Sequence, residues 1–276
     1  MKKLGALLLA AMLLLAGCAK NAESTPDSAT ADTATVDEAT QAPTQSPTQA
    51  PTLPPTEPPS VDELAQKEFD RILNGSYADY AQLEDVEALN QMNGMQAGCE
   101  ALALTAALNH FGYDLDIDDI VDDYLVYDNN FVIGYCGDPH RFYNGSGIYP
   151  PGMVTTTWNF IEENDAELYP FDTTGLTMNE LYRFVDAGCP VLIWTTYDRN
   201  SPRIEQYKEY DGIDYPWYDT EHCVCLFGYD LEDNEVKIAD SWGGVEKWED
   251  ADRFEKVYDE VGRFSIVLMD TSKLKY

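Results

Sequence analysis

Hydrophobic and polar positions change period several times along the chain. An apolar run from Leu4 to Ala16 follows Lys2 and Lys3, and from Ala19 to about Ser60 come Thr, Ala, Pro, Ser, Gln and acidic residues without an aromatic. Helical spacing begins at the capping box Ser60-Val-Asp-Glu63, which opens "VDELAQKEFDRIL" and is stopped by Asn74-Gly75. A second helix is predicted after Cys99, with Ala101, Leu102, Ala106, Leu108 and Phe111 available for burial and Gly112 as its stop. After the loop "YCGDPHRFYNGSGIYPPG", helices are expected from about Thr155 to Asn164 and from the capping box Thr177-Met-Asn-Glu180. Beyond Gly188 the period shortens, and "CPVLIWTTY", "HCVCLFGY", "EVKIADSW" and "RFSIVLM" read as strands. Helices first and strands afterwards predict an α+β fold, with N-terminal helices packed on an antiparallel sheet.

The N-terminal apolar run is too short to span a bilayer comfortably and reads as a secretion signal. It closes on Leu15-Ala16-Gly17-Cys18, which resembles the bacterial lipoprotein box. Residues 1–18 are therefore expected to be a signal peptide, with Cys18 lipidated and the protein anchored on the extracellular face of the cell membrane. Residues 19–60 cannot bury a core and read as a disordered, proline-rich stalk. The rest divides into a lead-in helix region, 61–82, and a main domain, 83–276.

Seventeen basic residues against 50 acidic ones leave a net charge of −33, which repels nucleic acid and excludes it as a partner. The run Asp114-Leu-Asp-Ile-Asp118-Asp119 is not a calcium loop, because Asp119 stands where glycine is needed and Leu125 where a bidentate Glu belongs. It reads as a solvated turn feeding a helix "DDIVDDYL". Of six cysteines, Cys18 is assigned to the lipid, leaving Cys99, Cys136, Cys189, Cys223 and Cys225. One or two disulfides are compatible with the last four, and no pair has metal-ribbon spacing. A zinc site from His222, Cys223 and Cys225 is disfavoured, since neighbours on a strand point to opposite faces. Neither metal nor cofactor is expected.

Candidate chemistry centres on Cys99. A thiol attacks as thiolate, and a helix N-terminus or a nearby imidazolium lowers its pKa, so this position favours a nucleophile over a structural cysteine only if a base is at hand. The chain has three histidines. His110 stands three turns along the same helix, about 16 Å away, and does not reach. His140, in "GDPHRF", is a second choice. His222 opens a buried strand. A turn at "YDLEDNEV" brings His222 opposite a residue between 240 and 244, so Asp240 is placed near it as an orienting acid, within a few residues of register.

These pieces, together with Gln91 upstream of Gly-Cys99-Glu100, the loop "CGDPHRFYNGSGIYPPGMV", "GCPVLIW" and "IADSW", resemble the C39-like peptidases of the papain-like cysteine peptidase clan. The resemblance runs from about Glu84 to Trp248 and is strongest to the extracytoplasmic family of Gram-positive bacteria. It implies a papain-like fold with Cys99 as nucleophile, His222 as base, Asp240 as orienting acid and Gln91 as oxyanion donor, Gln96 being the rival for that last role. "DSWGG" resembles papain's own Asn-Ser-Trp-Gly with Asp for Asn, while Glu100-Ala101 replaces the aromatic after papain's nucleophile. Trp242 is either a shield over the His222 to Asp240 bond or a core residue. The implied activity is hydrolysis of a peptide or protein substrate by a monomer. An amidase or acyltransferase acting on cell-wall peptide, and a non-catalytic surface binding module, are the rival readings.

Overall fold

The computed structural model describes residues 59–142 and 147–274. The chain opens with helix α1, Val61–Leu73, whose Ser60–Glu63 capping box closes as the pattern requires. A short strand β1, Tyr80–Gln82, and a 3-10 turn, Gln91–Asn93, precede helix α2, Cys99–His110. The segment after the acidic turn is a single π-type turn, Ile120–Tyr124, and not the expected α-helix. Only Ile120 and Val121 are buried there, too short an apolar face to hold several helical turns. Helix α3 runs Pro150–Asn164, starting earlier than expected because two prolines fit its first turn, where amide hydrogens have no helical partner.

Strand β2, Leu168–Asp172, is followed by helix α4, Met178–Asp186, opened by the predicted Thr177–Glu180 capping box. Then come β3, Val191–Thr196; the hairpin β4, Ile204–Tyr210, and β5, Ile213–Tyr218; β6, Glu221–Asp230; β7, Glu235–Asp240; β8, Val245–Asp250; helix α5, Ala251–Val261; and β9, Ser265–Asp270. The four strands legible in the sequence are β3, β6, β7 and β9. Strands β1, β2, β4, β5 and β8 and helix α5 were not foreseen. β4 and β8 carry a charged or exposed residue at most positions, so they show no buried period.

The main sheet is antiparallel, in the order β2-β9-β3-β6-β7-β8, with β1 pairing on the far end of β6. Its centre, β3 and β6, is almost wholly buried. α2 packs across β6 and β3. Every residue of α2 from Cys99 to Leu108 is buried, so it behaves as a core helix apolar all round and not as a one-faced surface helix. α1 packs on α4 through Phe69, whose ring lies 4.8 Å from that of Phe184. The expected arrangement, N-terminal helices against an antiparallel sheet, is the one observed.

Pairing of β6 with β7 sets the register that matters most. Cys225 faces Ala239, and one step further along places Asp240 opposite Val224, on the same face of the sheet as His222.

Candidate active site

The glycine before Cys99 has a steric cause. A Cβ on Gly98 would lie 2.3 Å from the Met95 side chain, so only glycine lets the turn close over the buried Met95 and present Cys99 as the first residue of α2. Cys99 starts the helix that packs on β6, and the nearby Cys223 backbone N–H favours its thiolate form. A cleft of about 210 Å³ runs past this point, with Gln91, Cys99, Glu221, His222 and Trp242 in its walls. Larger grooves exist elsewhere, and one of about 820 Å³ beside α1 has Cys189 and His110 in its walls, but there the imidazole Nδ1 is already held by the Glu84 carbonyl and burial pushes the Cys189 thiol up to about 12. α1 supplies no residue to the Cys99 cleft.

His222 Nε2 lies 2.7 Å from Asp240 Oδ1, and both residues are buried. The same Oδ1 accepts the backbone N–H of Trp242 at 2.9 Å. With Nε2 committed to Asp240, Nδ1 is the ring atom left for proton exchange. Asp240 Oδ2 is held in turn by Arg199 Nη2 at 3.2 Å and Lys247 Nζ at 3.0 Å, and both cations also pair with Glu249. Arg199 is buried and donates to the carbonyl of Thr196 as well. Burial alone would raise the Asp240 carboxyl. The His222 hydrogen bond and charge, with Arg199 and Lys247, hold it well below the usual carboxylate range. His222 is shifted down, mainly by burial and secondarily by the two cations, with Asp240 opposing.

Gln91 is buried, and its backbone N–H donates to the carbonyl of Ser241 while its Oε1 accepts from Ser241 Oγ at 2.7 Å. Fixing the oxygen this way turns the amide nitrogen toward the nucleophile turn, where one N–H reaches the Gln96 carbonyl at 3.1 Å and the other is left for a ligand. Gln96 is exposed. Trp242 is 38% exposed and is not a core residue; it stacks on Tyr197 with centroids 5.1 Å apart and stands edge-on to His222 at 6.4 Å. His110 Nδ1 sits 2.7 Å from the Glu84 carbonyl, and His140 Nδ1 sits 3.2 Å from that of Gly94; neither lines the cleft.

Two acidic residues to which the sequence pattern assigns no role, Glu100 and Glu221, stand beside the thiol. Glu100 is fully buried; its Oε1 accepts the Ile148 N–H at 2.8 Å and its Oε2 accepts from Cys99 Sγ at 3.3 Å. Gly147, at φ +122°, is the close approach that permits this, since a Cβ there would meet Glu100 Oε1 at 2.1 Å. Glu221 borders the cleft beside His222. Burial pushes Glu100 up to about 7, and burial together with Glu100 raises Glu221 strongly. Burial, then Glu100 and Glu221, raises the Cys99 thiol, with the Cys223 N–H opposing. The expectation that the helix terminus leaves a low-pKa thiolate at rest is thus corrected: desolvation and two carboxyl groups outweigh about half a positive charge.

The sequence did carry a hint of Glu100, a carboxylate set inside the apolar run "GCEALAL", whereas Glu221 stands at the polar edge of "EHCVCLF" and carried none. Arg199 had none, since it lies in a loop 41 residues from Asp240 in the chain. Cys99, Cys136, Cys189, Cys223 and Cys225 are all free thiols, so neither of the disulfides considered is formed. Cys18 lies outside the described residues.

Two expectations follow from these contacts. Arg199→Met strips one cation from a buried carboxylate while Lys247 remains, and should cost about 3 kcal/mol of unfolding free energy in denaturant titrations. A loss below about 1 kcal/mol would show the pair to be energetically idle. Glu100 has a higher pKa folded than unfolded, so between its ordinary 4.5 and about 7 the folded state holds a proton that the unfolded chain has released. Its contribution therefore lowers stability as pH rises through that window. Glu100→Gln should flatten the fall in Tm from pH 4.5 to 7, each kcal/mol being about 2–4 °C for a domain of this size. Identical slopes for the two proteins would contradict the assignment.

Comparison with known proteins matches this arrangement to one family. Residues 83–266, more than half of the chain, match the Peptidase_C39 like family. The uncharacterised YvpB protein of Bacillus subtilis is 27% identical over 191 residues, covering 67% of this chain and 74% of YvpB. A crystal structure of a C39-like protein from Bacillus anthracis superposes with a TM-score of 0.60 at 24% identity, covering 70% of this chain and 99% of that one. The fold is α+β and papain-like, and the chain belongs to the C39-like peptidase family.

Proposed function

We propose that this protein is a cysteine peptidase that cleaves peptide bonds through a thioacyl-enzyme, with Cys99 as nucleophile, His222 as base, Asp240 as orienting acid and Gln91 as oxyanion donor. The observation that carries the reading is the 2.7 Å bond from buried His222 Nε2 to Asp240 in the wall of the cleft that Cys99 lines. That bond fixes the tautomer and leaves Nδ1 unprotonated, ready to accept the thiol proton.

Because burial disfavours both the thiolate and the imidazolium, the resting pair is neutral. Proton transfer from Cys99 to His222 therefore accompanies attack on the substrate carbonyl and does not precede it. The negative charge that develops on the carbonyl oxygen is met by the Gln91 amide and the Cys99 backbone N–H, and each such donor is worth about 2.7–4 kcal/mol of barrier. Collapse of the tetrahedral adduct expels the amine, which takes the proton from His222. Water, deprotonated by the same imidazole, then attacks the thioester and releases Cys99. The Asp240 carboxylate stabilises the transient imidazolium, and its tethers to Arg199 and Lys247 hold it in place.

The proposed location is the outer face of a cell membrane, through a lipid on Cys18. This rests on the order Leu15-Ala16-Gly17-Cys18 after an apolar run. The stalk at 19–60 supplies reach to the folded part.

Cys99→Ala should abolish hydrolysis of a mixed peptide pool, read by mass spectrometry of the products, while leaving the thermal transition in place. Hydrolysis at the wild-type rate by that variant would sink the reading.

A further inference from the structure

The catalytic reading uses Cys99 and His222 but leaves the two carboxylates beside them without a task. Cys99 Sγ, a Glu100 oxygen and a Glu221 oxygen all lie within 4.8 Å of one another. Glu100 is committed to Ile148 and to the thiol, whereas Glu221 is not: the residue is half-buried, but its Oε1 is sealed from solvent and has no hydrogen-bond partner among the described residues. A buried carboxylate oxygen with no partner costs free energy that a ligand can recover. The group it lacks is positive, since its neighbours are a second carboxyl and a thiol.

We propose that Cys99, Glu100 and Glu221 form a binding site for a soft-to-borderline divalent cation of the zinc class, which silences the nucleophile reversibly. Three features choose this cation over others. One donor in three is sulfur, which favours zinc or cadmium and disfavours magnesium and calcium, both of which also want six or more oxygens. The sulfur to Oε2 separation of 3.3 Å already matches two neighbouring ligands on one ion with metal–donor distances of about 2.0–2.3 Å. And Glu100 is absent from the cleft wall, so an organic ammonium entering by the cleft meets Glu221 alone, while a bare ion reaches all three donors. Two thirds of the set is thus oriented before binding, by the Ile148 N–H and by the helix start. On binding, the metal–sulfur bond replaces S–H, and the protons of the thiol and of any protonated carboxyl pass to solvent. The fourth position opens to the cleft and takes water.

Binding itself does not depend on catalysis; only the silencing rests on Cys99 being the nucleophile. The test is a titration of the full chain with Cd²⁺, reading the ultraviolet thiolate-to-cadmium charge-transfer band. It is run in a Cys18→Ser, Cys136→Ser background, which removes the thiol outside the folded part and the half-buried one within it. The expected result is a band that saturates at one equivalent, is displaced by Zn²⁺, vanishes in Cys99→Ser and needs about tenfold or more Cd²⁺ in Glu221→Gln. Glu221→Gln is isosteric and sits at the cleft, and its thermal transition is recorded alongside to show that it folds. A band that persists in Cys99→Ser, or an unchanged affinity in Glu221→Gln, would overturn the site. So would the absence of a band in a protein whose Cys99 alkylation is slowed by methylammonium in a Glu221-dependent way, which would make the ligand an organic cation. Peptide hydrolysis is scored separately. Hydrolysis without cadmium binding defeats only the metal site, and cadmium binding without hydrolysis defeats only the peptidase reading.

Discussion

The seating of the first turn of α2 against the start of β6 is the contact on which the rest depends. It buries Cys99 and Glu100, sets the sulfur near the Cys223 N–H, and places the helix start in the same cleft as His222. Two close approaches make it possible, Gly98 over Met95 and Gly147 over Glu100, and in each a single methyl group would collide with its neighbour. From there the antiparallel pairing of β6 with β7 delivers Asp240 to His222, and the loop after β3 brings Arg199 behind Asp240.

Electrostatically the site balances burial against pairing. His222, Asp240 and Arg199 are all buried, yet Asp240 stays ionised because an imidazole and two cations surround it. Beside the sulfur, Glu100 and Glu221 pair with no cation among the described residues; burial raises the Glu100 carboxyl, and burial together with Glu100 raises that of Glu221. The helix terminus contributes about half a charge and falls off within one turn, which is too little to reverse the desolvation of a sealed thiol. Under the proposed peptidase reading, this comparison makes the resting Cys99 and His222 pair charge-neutral, with the thiolate formed only during attack. Neutrality also protects a thiol from adventitious oxidation, since oxidants act on thiolates.

Much of this was legible in the sequence because it is local or periodic. Cys99 at a helix start, His222 at a strand start and Asp240 across one turn follow from spacing alone, as do both capping boxes and the four central strands. Trp242 was legible only to within two alternatives, and the structure places it over His222 and not in the core. Elements built from exposed or charged residues, such as β4 and β8, were hidden because no buried period marks them, and the helix expected around Ile120–Tyr124 shrank to one turn because only two of its residues are buried. Arg199 was hidden for a different reason: its role is set by a loop fold, with positive φ at Arg199 itself, that residue spacing does not encode. Glu100 was visible as an acid inside the apolar run "GCEALAL", while Glu221 was hidden at the polar start of its strand.

The most direct test of the account is adduct mapping with a peptidyl epoxysuccinate on the folded protein, comparing wild type with His222→Ala by mass spectrometry. The account predicts a single covalent adduct, on Cys99, forming at least about 100-fold more slowly in the variant, the scale of a lost general base. Adducts on another cysteine, or equal rates in the two proteins, would contradict the pairing of Cys99 with His222.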